Sequence, residues 1–200
     1  MTSILLDTNA YFRLAKSFHP LLGKVLPASD SAPERALRVI SEVDREFEAN
    51  PALTSKFHWV AEAEYRQNRQ QNILKLTGTQ PSIVSEKRRF IEFGVKMDAT
   101  KFKALKMSRP SPTDCLVLAY GDALGIDVVS DDGGMAYTAS VLLKLRCKVL
   151  GSLDVLHALH QSGQISLAQI KSVAQFLQYV DDLPGSWRRD AIRLFGQKLV

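Results

Sequence analysis

Ser3-Ile4-Leu5-Leu6-Asp7-Thr8-Asn9-Ala10 is the stretch on which the reading of the fold turns. Ser3 to Leu6 is a short, mostly apolar run of the kind a buried strand uses. The polar triplet Asp7-Thr8-Asn9 follows, and residues 10–16 then read as helical. Strand, turn and helix in that order leave Asp7 at the strand's carboxyl end. The same order recurs downstream. Ile126-Asp127-Val128-Val129 reads as a strand, residues 130–134 as a turn and residues 135–145 as a helix. Cys147-Lys148-Val149-Leu150 reads as a last short strand, and Ser152 as the cap of a helix to about Gln161 that Gly163 ends. Strands alternating with helices predict a three-layer α/β/α fold with a mostly parallel, Rossmann-like sheet. Such sheets bind ligands outside the carboxyl ends of their strands, where the strand order reverses.

The connecting regions are read in the same way. Residues 20–33 hold three prolines and small polar residues and read as a loop. Pro33 then opens a helix on which Leu37, Ile40, Val43 (or Asp44) and Phe47 fall at helical spacing, ended by Asn50-Pro51. Ala52-Leu53-Thr54-Ser55 is the candidate second strand, followed by a helix over residues 56–75. After a break at 77–81, a basic helical stretch runs to about Met107, interrupted near Asp98. Ser108-Arg109-Pro110-Ser111-Pro112 is a stiff connector to an apolar helix over residues 113–124, with Gly125 as its C-cap. Helices over residues 166–180 and 184–199 close the chain. The expected organisation is a catalytic-type domain over residues 1–163 and a helical extension over residues 164–200 packed on it.

With 200 residues, 46% of them hydrophobic, the chain can form one core that buries roughly 70% of its unfolded surface. No apolar run approaches the ~18 residues of a membrane span. The N-terminus lacks the cationic start and long apolar segment of a signal peptide, so a cytoplasmic protein with no membrane contact is expected. Cys115 and Cys147 match no zinc spacing and lie in apolar surroundings. Buried thiols in a reducing compartment are one reading and a disulfide the other. The formal charge is +5, but between Arg66 and Arg109 eleven Lys and Arg residues face only Glu86, Glu92 and Asp98. Such a segment suits a polyanion surface, with Arg66, Arg69, Lys87, Arg88 and Arg89 as candidate RNA contacts. A solvated helix face accounts for the charge equally well.

The acids carry more information. Asp7 follows the first strand, Asp131 and Asp132 follow Val128-Val129, Asp114 heads the apolar helix, and Glu62 and Glu64 lie on the helix after the candidate second strand. A doubly wound sheet brings such element ends to one rim. Carboxylates gathered there repel one another and a divalent cation relieves the repulsion. An oxygen-only ligand set without histidine or thiolate favours Mg²⁺ or Mn²⁺ over zinc. Such an ion can orient a phosphodiester, activate water and neutralise the leaving oxygen. Taken singly, Asp7-Thr8, Thr113-Asp114 and Ser130-Asp131 read more readily as helix N-caps than as metal ligands.

Taken together, the residues resemble the PIN-domain family, which includes the VapC-type ribonuclease toxins. Ile4-Leu5-Leu6-Asp7-Thr8-Asn9 resembles its opening motif, Pro112-Thr113-Asp114-Cys115-Leu116-Val117-Leu118-Ala119 its central Asp on an apolar helix, and Gly125-Ile126-Asp127-Val128-Val129-Ser130-Asp131-Asp132 its closing loop, strand and Thr/Ser-x-Asp motif. The three occur in order within residues 1–150. The resemblance implies an Mg²⁺- or Mn²⁺-dependent ribonuclease with Asp7, Asp114 and Asp132 as catalytic metal ligands. Asp131 stands beside the last of these as a substitute or helper, with Asn9 and Ser130 in support. The family's second acid lies on the helix after the second strand, where Glu62 and Glu64 compete and Glu62 is preferred. An RNA substrate, a small antitoxin protein as partner in a type II toxin–antitoxin pair, and a homodimer are implied as well.

Rival readings are a haloacid dehalogenase-like phosphohydrolase and a non-catalytic PIN-like module that binds RNA or protein. The former needs Asp-x-Asp after the first strand, where this chain has Asp7-Thr8-Asn9. His157 and His160 could reach one metal, but no third ligand is evident. Trp59 and the Trp187-Arg188-Arg189 region with Arg193 and Lys198 are secondary candidates for nucleic-acid contact, with core packing and an ordinary basic helix face as the alternatives.

Overall fold

The computed structural model describes residues 2–28 and 33–200; residues 29–32 of the expected loop lie outside them. Strand β1 (Thr2–Leu6) is fully buried from Ile4 onward, and helix α1 (Thr8–Ala15) follows without a loop. Asp7 makes that abrupt change possible. Its Oδ1 accepts the Ala10 N–H at 2.6 Å, so one orphan donor of the first turn is satisfied. The chain then forms β2 (Val25–Leu26), β3 (Arg35–Arg38) and α2 (Glu42–Ala49). Next come α3 (Pro51–Lys56), a 3-10 turn (His58–Ala61) and α4 (Ala63–Gln71), followed by α5 (Gln80–Met97), α6 (Ala99–Ala104) and α7 (Pro112–Leu124). Beyond these lie β4 (Val128–Val129), α8 (Gly133–Tyr137) with a π-helical turn (Thr138–Leu142), β5 (Val149–Leu150), α9 (Ser152–Gln161), α10 (Leu167–Tyr179) and α11 (Trp187–Phe195).

The five strands lie in the order β2-β3-β1-β4-β5. All pairings are parallel except β2 with β3. The fold is therefore three-layered α/β/α with a mostly parallel, Rossmann-like sheet. The chain leaves β1 toward β3 on one side and returns to β4 on the other, so the strand order reverses at β1. The crevice outside the carboxyl ends of β1 and β4 is the place this topology offers a ligand.

Two expected elements differ from the structure for one reason. The helix expected from Pro33 is instead β3 followed by α2. β3 pairs with β1 in register from Thr2↔Arg35 to Leu5↔Arg38. Both Ala36 and Leu37 are buried, so the alternation that marks a half-exposed strand is absent. Leu37, Ile40, Val43 and Phe47 share helical spacing by coincidence: Leu37 fills the sheet, while Val43 and Phe47 fill the inner face of α2. The candidate strand at residues 52–55 is helix α3. Asn50 caps it through bonds from Ala52 N–H (3.1 Å) and Leu53 N–H, and Pro51 takes the first turn, where its missing N–H costs nothing. The helix expected over residues 56–75 is shortened to the 3-10 turn and α4. At α9 the cap is Gly151, whose N–H is held by Asp154 at 3.0 Å, and Ser152 turns its side chain elsewhere.

One hydrophobic cluster runs through the molecule and includes Ile170, Val173, Leu177, Trp187, Ala191 and Leu199 of the C-terminal helices. Cys115 and Cys147 are free and buried, and burial pushes both thiols up to about 12. Among the described residues no helix is long and apolar enough to cross a membrane. Gly121 lets α7 lie close against the sheet. A Cβ there would stand 2.9 Å from both Cys147 Cβ and Val128 Cγ2. Gly121→Val should therefore lower the unfolding free energy by roughly 1–3 kcal/mol, read as a reduced denaturant midpoint. An unchanged midpoint would show that this contact is not tight.

Candidate functional site

The carboxyl end of β1 is fastened to that of β4 by the Asp7 N–H, which donates to the Val129 carbonyl at 3.0 Å. The Asp7 side chain is thereby drawn inside and is only 2% exposed. Burial raises its pKa to about 7; the Ser130 hydroxyl and the Ala10 N–H oppose the rise, and the charges of Asp131 and Asp114 add to it. Asp114 enters from α7. Ser111 and Asp114 form a reciprocal cap, with Ser111 N–H donating to Asp114 Oδ2 at 2.8 Å and Asp114 N–H to Ser111 Oγ at 3.1 Å. Burial raises the Asp114 pKa and the neighbouring Asp132 raises it further.

A third acid, not singled out in the sequence, is Glu46 on α2. It is half-buried and accepts a hydrogen bond from the buried Thr8 hydroxyl. Its pKa is raised by burial and also by the charge of Asp114. Glu46 therefore belongs electrostatically to the same cluster. Glu62 and Glu64, the residues expected in this place, are both exposed, and their charges act on Tyr65. The difference follows from the misplaced strand. The helix after the second parallel strand is α2, so the acid on it is Glu46. The cue in the sequence was Val39-Ile40, an adjacent β-branched pair just before Ser41.

Hydrogen bonding ties each acid to the fold. Asp7 is held by the Ala10 N–H and the Ser130 hydroxyl, Asp114 by Ser111 and Glu46 by the Thr8 hydroxyl, all groups at the ends of the same central elements. Asp131 has both oxygens engaged by Ser152, from its N–H at 3.0 Å and its hydroxyl at 2.5 Å. Arg13 stands 3.8 Å from Asp131 and binds Asp182 at 3.1 Å, and Trp187 Nε1 donates to the Ser152 hydroxyl at 3.0 Å. Asp132 caps α8 through bonds from Gly134 and Met135 N–H, and its second oxygen accepts the Ser108 hydroxyl at 2.7 Å. Ser130 donates nothing to Asp132; its Oγ accepts the Asp132 N–H at 3.1 Å. Asn9 is exposed on α1.

Among the described residues no group of three or more His, Cys, Asp or Glu stands in metal-binding geometry. The donor chemistry nevertheless fits a hard divalent cation. The three carboxylates offer oxygen only, and the charge of Asp114 raises the pKa of both Asp7 and Glu46, while Arg13 is shared by Asp131 and Asp182. The two histidines of α9 are half-buried and pack on Phe195.

The proposed RNA contacts are also sorted by the structure. Arg69 is 3% exposed and serves the interior: it binds Asp44 at 2.5 Å, the Val60 carbonyl and the Tyr11 hydroxyl. Lys87 pairs with buried Asp122 at 2.9 Å and Arg88 with Glu92 at 2.7 Å. Arg66 and Arg89 are exposed with no acidic partner among the described residues, as are Lys103, Lys106 and Arg109.

No family model matches the sequence, and no curated protein sequence is similar to it. Among solved structures, the crystal structure of FitAcB from Neisseria gonorrhoeae is similar at 15% identity and a TM-score of 0.42, over 75% of this chain and 98% of that one.

Because the folded state raises the Asp7 pKa from 3.8 to about 7, it holds this proton more tightly than the unfolded chain. The associated stability is complete below the unfolded value and is lost as pH rises through about 7. In chelator, raising pH from about 5 to 8 should cost roughly 2–3 kcal/mol of unfolding free energy through this group. Asp7→Asn, which keeps the cap, should flatten that slope in urea titrations. An identical slope in both proteins would place the proton elsewhere.

Proposed function

We propose that this chain is a metal-dependent endoribonuclease that hydrolyses RNA phosphodiester bonds, with Asp7, Glu46 and Asp114 holding Mg²⁺ or Mn²⁺. The observation that carries the reading is that these three acids, from the end of β1, from α2 and from the head of α7, act on one another electrostatically through Asp114 beside the switch point. Asp7, Glu46 and Asp114 would hold such a cation, which when bound would supply charge neutralisation and an acidified water for hydrolysis. The chain's own contribution is orientation. The Ala10 N–H, the Thr8 hydroxyl and the Ser111 N–H each fix one carboxylate oxygen and so aim the other.

Asp132 acts one step back, tying the start of α8 to Ser108 on the connector before α7. Asp131 orders the rim through Ser152 and Arg13. Beside Ser111 a groove of about 470 Å³ runs between α5 and α7, lined in part by Arg109, Pro110 and Glu92. Arg109 with the nearby exposed Lys103 and Lys106 gives the phosphate backbone a cationic approach to Asp114. The ordered resemblance of the three acid-bearing segments to PIN-domain motifs supports the same reading. It extends it to the toxin of a type II toxin–antitoxin pair silenced by a small antitoxin protein.

With labelled single-stranded RNA and Mn²⁺ or Mg²⁺, Asp7→Asn, Glu46→Gln and Asp114→Asn should each reduce cleavage at least about 100-fold. Glu62→Gln should stay within about threefold of the parent, and chelator should stop the reaction. Undiminished cleavage by folded Asp7→Asn would refute the assignment. Turnover of a chromogenic phosphomonoester without RNA cleavage would indicate a phosphohydrolase, and metal-independent RNA binding without cleavage a binding module.

A further inference from the structure

Between α10, α11 and the segment that follows α11 lies a cavity of about 540 Å³, a volume of the size that small-molecule ligands occupy. It shares no residue with the acid cluster, and no Asp or Glu lines it. Leu183, Trp187, Ile192 and Leu199 give it an apolar wall, and the Gln178 amide is the one uncharged polar side chain there. Arg188, Arg189 and Lys198 supply charge of a single sign. Arg189 is paired with Asp190 at 3.3 Å, whereas Arg188 and Lys198 are exposed and have no acidic partner among the described residues.

This lining sets the chemistry of a ligand. An apolar wall with a single amide rewards a hydrocarbon body and penalises polar groups that it cannot pair. Unpaired cations beside it reward an anionic group, and a guanidinium fits a planar carboxylate through two parallel N–H donors. Nucleic acid, the other anion a basic region could take here, needs an exposed ring on which its bases stack. Trp187 offers none: it is 2% exposed, and its Nε1 donates inward to the Ser152 hydroxyl. We propose that the cavity binds a small amphipathic carboxylate, its hydrocarbon part against Trp187 and Leu199 and its head group beside the unpaired cations. Occupancy is then felt at Trp187, which makes that ring its reporter. The inference concerns this cavity alone and stands whether or not the chain cleaves RNA.

Decanoate is a suitable probe, titrated into the full chain carrying Trp59→Phe so that Trp187 is the only tryptophan. Its fluorescence should change saturably, with half the effect below about 100 μM, and calorimetry on the unaltered chain should give the same affinity. Decanol and decyltrimethylammonium should each bind at least about tenfold more weakly. Arg188→Glu with Lys198→Glu should weaken decanoate at least about tenfold while leaving decanol binding and the far-ultraviolet spectrum unchanged. Absence of saturable binding of decanoate up to about 1 mM overturns the proposal. Equal affinity for decanoate and decanol overturns it too, as does full decanoate affinity in the double variant.

Discussion

A carboxylate at the end of a central strand, taken out of water beside two others, is the constraint around which this molecule is arranged. Asp7 is held there by the backbone. Its N–H completes the β1–β4 junction and its Oδ1 starts α1, so it cannot leave the interior without undoing both. The cost of burying it appears as the raised pKa, and Asp114 and Glu46 show the same effect more weakly because they are only partly buried. Structural caps normally sit where water shares the charge. One buried and two half-buried acids, coupled through Asp114, instead keep their repulsion inside the fold.

The C-terminal helices take part in this arrangement. Trp187 holds the Ser152 hydroxyl, Ser152 occupies both oxygens of Asp131, and Arg13 joins Asp131 to Asp182, which also binds Lys56 at 3.0 Å. This chain of contacts runs from α11 through α9 to α1 and the loop after α10. It fixes the outer acid and places one guanidinium near Asp7 without neutralising the inner three. A pocket defined only by the first 150 residues would lack that support. The extension therefore reads as a buttress of the rim rather than a separate appendage.

The parts of the fold that were legible in the sequence are those where one local signal sufficed. Asp7 after a short apolar run and Gly125 after an apolar helix each fix an element end through a single cap. Gly125 adopts φ 65°, the left-handed conformation that ends α7. Glu46 was hidden because β3 is buried on both faces and carries no alternation, while the apolar residues on either side of it keep helical spacing. A strand of that kind is recognised by its partner, and the partner, β1, is over thirty residues away. Ser152 was misread for a related reason: serine at a helix start suggests a cap, but here Asp154 serves the cap and frees the hydroxyl for Asp131.

The basic segment shows how far charge along a sequence can stand from charge on a surface. Arg69 is inside, stacked near Tyr11 and bonded to Asp44 on α2, which lies outside the segment altogether. Lys87 answers Asp122 on α7, again from outside. Long-range pairing thus removes part of the apparent excess, and the exposed cations left without an acidic partner among the described residues are Arg66 on α4 and others along α5, α6 and the connector that follows. Of these, Lys96 and Arg109 line the groove beside Ser111, and Lys96 also stands next to the exposed Met97 of α5. Charge counted along residues 66–109 therefore overstates the charge this region presents to solvent.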